Sequence, residues 1–132
     1  MNVRSLNAFL TVRNASAAIE YYRRAFGATE KSRLVTPTGQ IVAEMRLQGL
    51  EFGVVDENPG AQNLSPEALG GTSVRLSLIV DDPDAAADRA VAAGGRVLFP
   101  VADQPYGMRQ GRIVDPFGHH WLIGKVLAHE RP

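Results

Sequence analysis

Arg75, His120 and Asp56 are the residues of this chain best equipped for chemistry. Arg75 sits in a strand pattern on the face opposite Leu76 and Leu78, so it is expected to point into a cleft. A guanidinium there offers one of two things. It can pair with Asp56, Glu44 or a second copy of the chain, or it can anchor the carboxylate or phosphate of a ligand bidentately. His119 and His120 are adjacent on a strand, so their rings leave on opposite faces and cannot chelate one ion. By parity His120 shares the cleft face with Leu122, which makes it the candidate general base. Ser77, His120 and Asp56 add up to a Ser-His-Asp set only on paper, because no nucleophile elbow accompanies them. Phe9 and Phe52 are expected on the cleft face, either stacking on a planar ligand or filling the cleft. Tyr106 and Arg109, on the approach to a late strand, are candidates for a lid or rim. There is no cysteine, which removes disulfides, thiolate metal sites and a thiol nucleophile. Gly94-Gly95 follows a helix, whereas a phosphate loop precedes one.

The elements that position these residues occur twice. Residues 6–29 slide onto 74–97 at an offset of 68. Leu10-Thr11-Val12 falls on Leu78-Ile79-Val80, Asn14 on Asp82, Ala17-Ala18 on Ala85-Ala86, and Gly27 on Gly95. Each copy reads as an apolar strand, a polar N-cap, an Ala-rich helix and a terminal Gly. In the first copy the spacing predicts a strand over 5–12, a helix over 15–26, and strands over 28–36, 40–48 and 51–56. In the second it predicts a strand from 73, a helix from Asp82-Pro83 to about 93, and strands over about 96–101, 108–115 and 119–126. The Pro- and Gly-rich stretch 57–72 reads as an irregular linker.

The expected fold class is α+β: two tandem βαβββ repeats forming an open, curved mixed sheet, a half-barrel with the helices outside. Residues 1–132 read as one domain, with repeat one about 4–56, linker 57–72 and repeat two about 73–127. One repeat alone would leave a sheet face wet, and two side by side can enclose a cleft.

The chain has 132 residues, 45% of them hydrophobic and 21% charged, and its 14 basic residues balance 14 acidic ones. That composition is ordinary for a folded domain, and without a basic surplus or run no nucleic-acid partner is expected. No apolar run approaches the ~20 residues that span a bilayer. The N-terminus lacks the apolar core of a signal peptide, so the expectation is a cytoplasmic protein without a membrane partner. Near-zero net charge is consistent with a homodimer.

With Ile19-Glu20-Tyr21-Tyr22, Ala25-Phe26-Gly27-Ala28 and Asp115-Pro116-Phe117-Gly118-His119-His120-Trp121, this organisation resembles the vicinal oxygen chelate superfamily. That superfamily includes glyoxalase I, bleomycin-resistance proteins, fosfomycin-resistance enzymes and extradiol dioxygenases. The C-terminal phrase is most similar to its PhnB-like branch. The resemblance implies a divalent metal held by four inward side chains, from the first and last strand of each repeat. At the 68-residue offset those positions are Asn7, Val54, Arg75 and Leu122. None is a good ligand: arginine has no acceptor, valine and leucine have no donor atom, and asparagine offers one weak oxygen.

No metal and no cofactor are therefore expected. The leading expectation is a metal-independent protein that binds a small molecule, such as a drug or antibiotic. Its cleft is lined by Asn7, Phe9, Phe52, Val54, Asp56, Arg75, Ser77, His120 and Leu122, with Tyr106 and Arg109 at the rim. The alternative is a metal-dependent lyase, isomerase or dioxygenase of the same superfamily with relocated ligands, gathering Asp56, His120 and Glu44 or Glu51.

Overall fold

In the computed structural model, which describes residues 1–128, the chain forms two four-stranded sheets and two main helices. The first repeat contains β1 (Phe9–Val12), α1 (Ala15–Phe26), β2 (Thr29–Val35), β3 (Ile41–Leu47) and β4 (Leu50–Asp56). A short helix α2 (Pro66–Leu69) lies between the repeats. The second repeat contains β5 (Arg75–Ile79), α3 (Pro83–Ala92), β6 (Arg96–Asp103), β7 (Met108–Val114) and β8 (His120–Val126). The sheets run β1-β4-β3-β2 and β5-β8-β7-β6, each with one parallel pair and two antiparallel pairs. The α+β class and the doubled βαβββ order stand as expected, with both sheets open and unclosed.

Local chemistry explains the boundaries. Asn14 caps α1 by accepting from the Ala17 N–H at 3.1 Å, and Asp82 caps α3 by accepting from the Ala85 N–H at 3.1 Å. Gly27 takes the left-handed conformation that ends α1. The stretch 57–72 is more ordered than its composition predicts. Ser65 Oγ accepts from the Ala68 N–H at 3.2 Å, Pro66 opens α2, and Gly70 closes it at φ 78°. Its Pro and Gly are thus helix punctuation as well as loop formers. β1 begins at Phe9 rather than residue 5, with the Ala8 carbonyl still accepting from the Gly53 N–H at 2.8 Å.

The two repeats share one core. Tyr22, Phe26 and Phe52 of the first repeat surround Trp121 of the second, with ring centroids 5.5, 4.6 and 6.0 Å away. α1 and α3 pack together, and Tyr21 donates its hydroxyl to the Ala90 carbonyl at 3.0 Å. Burying so many aromatics in one cluster is the dominant apolar gain available to a chain of this size. The opposite face of each sheet is left open, carrying Phe9, Leu34, Ile79 and Phe99, all exposed. No helix among the described residues is long and apolar enough to cross a membrane.

Candidate functional site

The register fixes which side chains share the open face of the second sheet. One row crosses it as Ser77, Leu122, Arg112 and Phe99; the next is Arg75, His120, Val114 and Arg96. Arg75, Arg112, Leu122 and Phe99 wall a cavity of about 230 Å³, which Gln104, Tyr106 and Gln110 also line. Tyr106 donates its hydroxyl to Gln110 Oε1 at 2.7 Å, and Gln104 Nε2 donates to the Gln110 carbonyl at 2.9 Å. The Arg112 guanidinium lies over the Phe99 ring, 5.5 Å from its centroid. His120 is flanked by these groups. Burial, then the Arg112 and Arg96 charges, hold its pKa below the usual imidazole value.

The open face of the first sheet is different. Phe9 lies flat on Gly53, where any Cβ would overlap the ring. Glu51 is held by Lys31 at 3.1 Å and Arg46 at 3.5 Å. Glu44 accepts from Ser32 Oγ at 2.9 Å.

The 68-residue ruler fails at the last strand of each repeat. Arg46 pairs with Glu51 across four intervening residues, whereas the equivalent pair Val114 and His120 spans five. One extra residue in the Asp115–His119 turn flips every side chain that follows it to the other face. The partner of Leu122 is therefore Gly53, and Trp121 matches Phe52. Three cleft expectations are corrected on this ground. Phe52 is 8% exposed and packs against Tyr22 and Trp121 in the core. Val54 is fully buried beside Leu10. Asp56 turns inward as a clamp, its carboxylate accepting from the Ala15 N–H at 2.6 Å and the Ile41 N–H at 2.8 Å.

Other residues sort as follows. Phe9, Arg75, Ser77, His120 and Leu122 lie on open sheet faces, and Tyr106 lies at the cavity wall. Asn7 precedes β1 and is exposed. Arg109 is corrected from a rim contact to an ion pair on the helix side, bonded to Asp84 of α3 at 2.7 Å and Asp103 at 3.0 Å. Ser77, His120 and Asp56 do not form a triad, since Asp56 is committed to two backbone donors in the other repeat. Sequence reasoning missed Arg112, Phe99, Gln104 and Gln110. Alternation along 108–114 puts Gln110, Arg112 and Val114 on one face, and that was the signal available.

With the register corrected, the four positions at which the resemblance implies metal ligands fall on Asn7, Gly53, Arg75 and Leu122. Their donor chemistry does not fit a divalent ion, because they supply one amide oxygen and one permanent cation. Nor do His, Asp and Glu side chains gather in threes among the described residues in a way that could hold a metal, so Asp56, His120, Glu44 and Glu51 do not form the relocated set.

The profile of the Glyoxalase/Bleomycin resistance protein/Dioxygenase superfamily matches residues 5–123. The chain belongs to this superfamily. It is 39% identical over 127 residues to an uncharacterised protein of Mycobacterium bovis, covering 93% of this chain and 84% of that one. The crystal structure of an Arabidopsis thaliana gene product matches with a TM-score of 0.73 at 27% identity, covering 92% of this chain and 98% of that one. The fosfomycin resistance protein FosX of Listeria monocytogenes shares the fold, with a TM-score of 0.71 at 14% identity over 95% of each chain.

Proposed function

We propose that the protein binds a small organic molecule without a metal, in the manner of the drug-sequestering members of its superfamily. The observation that carries this reading is an exchange on the second sheet. Where the superfamily places metal ligands the chain has Arg75 and Leu122, and these two residues wall a cavity of about 230 Å³. The cavity combines apolar surface with a few directed polar groups, the usual make-up of a ligand pocket. The PhnB-like assignment rests on the Asp115–Trp121 phrase and is consistent with this role.

A homodimer belongs to the same proposal. The open sheet faces carry Phe9, Leu34, Ile79 and Phe99, each more than half exposed. A second copy laid against those faces would cover the apolar surface and deepen the cavity.

The test is a thermal-shift and saturation-binding screen of small organic molecules on protein stripped with a chelator, alongside metal analysis of untreated protein. Saturable binding by stripped protein is expected. Stoichiometric zinc, manganese, nickel or iron, with binding or turnover only in its presence, would replace this reading with the metal-dependent enzyme. Sedimentation is expected to give twice the chain mass.

A further inference from the structure

We propose that Arg112 and Arg75 form the recognition point for an oxyanion, so that the ligand is a small organic anion bearing a carboxylate or phosphate-type group on a flat apolar body. The inference deepens the small-molecule reading above and rests on it. Five arginines of the described residues are paired with carboxylates: Arg13, Arg23, Arg33, Arg46 and Arg109. Arg75, Arg96 and Arg112 share one sheet face and, like Arg4, Arg24 and Arg89 elsewhere, make no ion pair among the described residues; what sets them apart is that they lie together. No acidic side chain lines the cavity.

Arg112 gives the sharper indication. Its Nε is the only buried side-chain nitrogen or oxygen among the described residues that lacks a hydrogen-bond partner. A buried donor left unmade is costly, and a charged one more so, so the group gains most where a side-chain shift admits an acceptor to it. The Arg112 guanidinium carbon lies 5.5 Å from the Phe99 centroid, a cation–π contact, and a guanidinium is itself a planar N–H fork. A carboxylate or a phosphate-type group matches that fork bidentately. Phe99, Tyr106 and Leu122 then supply the surface for the body of the ligand. The volume lies below the roughly 300–1,000 Å³ of drug-sized pockets, which suits a compact molecule or the anionic end of a longer one.

The experiment is a titration of full-length, metal-stripped protein followed by the arginine Nε–Hε NMR signals. The probes are benzoate, phenylphosphonate and the uncharged isostere benzamide. The expected result is that benzoate or phenylphosphonate displaces the Arg112 signal and binds at least about tenfold more tightly than benzamide. Which anion is stronger distinguishes the carboxylate from the phosphate-type source. R112Q and R75Q should each weaken the anions by about tenfold or more and benzamide much less, while R33Q, on the other sheet, changes neither.

Equal binding of benzamide and benzoate, or anion binding indifferent to R112Q and R75Q, overturns the anion assignment and leaves the small-molecule reading standing. Displacement by none of the three probes also overturns it, and the broader screen then judges the other reading alone. If R112Q dissociates a dimer without weakening benzoate, the guanidinium serves a second copy of the chain and the assignment falls.

Discussion

Tyr22 of α1 donates its hydroxyl to the Asp115 carboxylate at 2.5 Å, joining the helix of one repeat to the last turn of the other. Asp115 is 3% exposed and also accepts from Trp121 Nε1 at 2.9 Å, the Phe117 N–H at 2.8 Å and the His119 N–H at 3.0 Å. Burial, then the Asp115 charge, pushes the Tyr22 hydroxyl well above its ordinary value, so it remains a donor. The carboxylate makes no salt bridge among the described residues and is held by four donors instead.

D115N turns one of those acceptor oxygens into an NH₂ group and leaves buried donors facing a donor. We expect a loss of about 2–3 kcal/mol in urea unfolding. Y22F removes one donor of four and should cost about 1 kcal/mol. A D115N protein as stable as wild type would show that the turn, rather than the carboxylate, joins the repeats.

The duplication made much of this fold legible in the sequence. Asn14, Asp82-Pro83 and Gly27 act locally, so their helix ends could be read directly. What resisted was the face of β4. A strand's parity depends on the length of the turn before it, and one added residue between Val114 and His120 inverted Phe52, Val54 and Asp56 together. The matches of Phe52 with Trp121 and of Gly49 with Gly118 at an offset of 69 were its traces in the sequence. Arg112 escaped notice for another reason: an unpaired donor is defined by what surrounds it, and no spacing rule reports that. The open-face positions of Arg75 and His120 were legible because they precede or pair within the repeat's own strand alternation.

Gly53 and Phe9 pack as one unit on the first sheet. A methyl at residue 53 would meet the Phe9 ring at several carbons, and the ring must swing into solvent to admit it. G53A is expected to cost about 1 kcal/mol. Phe9 is already 55% exposed, so the remedy is simple. In an F9A background the same substitution should cost less than about 0.5 kcal/mol, a coupling that a double-mutant cycle measures. Additive costs would mean that the glycine is required for its backbone instead.

Asp56 serves as a clamp, and its variants separate that role from a catalytic one. D56A frees the Ala15 and Ile41 N–H groups at the start of α1 and of β3. The expected loss is about 2 kcal/mol, measured by thermal or urea unfolding. Ligand affinity at the second-repeat cavity should be unchanged in the folded fraction, since the carboxylate reaches no group there. A loss of affinity without a loss of stability would restore Asp56 to the site.

His120 should report on its arginine neighbours. Burial comes first among the causes that lower its pKa, followed by Arg112 and Arg96; Asp115 acts weakly the other way and His119 adds slightly to the lowering. R112Q removes one of these charges, so the imidazole should titrate at higher pH in an NMR pH series. The sign for stability follows. A histidine whose folded pKa lies below its unfolded 6.5 contributes stability above that pH and loses it as pH falls through the folded value. R112Q should therefore shrink the acid-side decline in stability. A bound anion opposes the arginine charges as the substitution does, so by linkage it raises the His120 pKa and binds more tightly as pH falls through the His120 titration. Anion affinity that stays flat from neutral pH down through the His120 titration would separate the imidazole from the arginine pair.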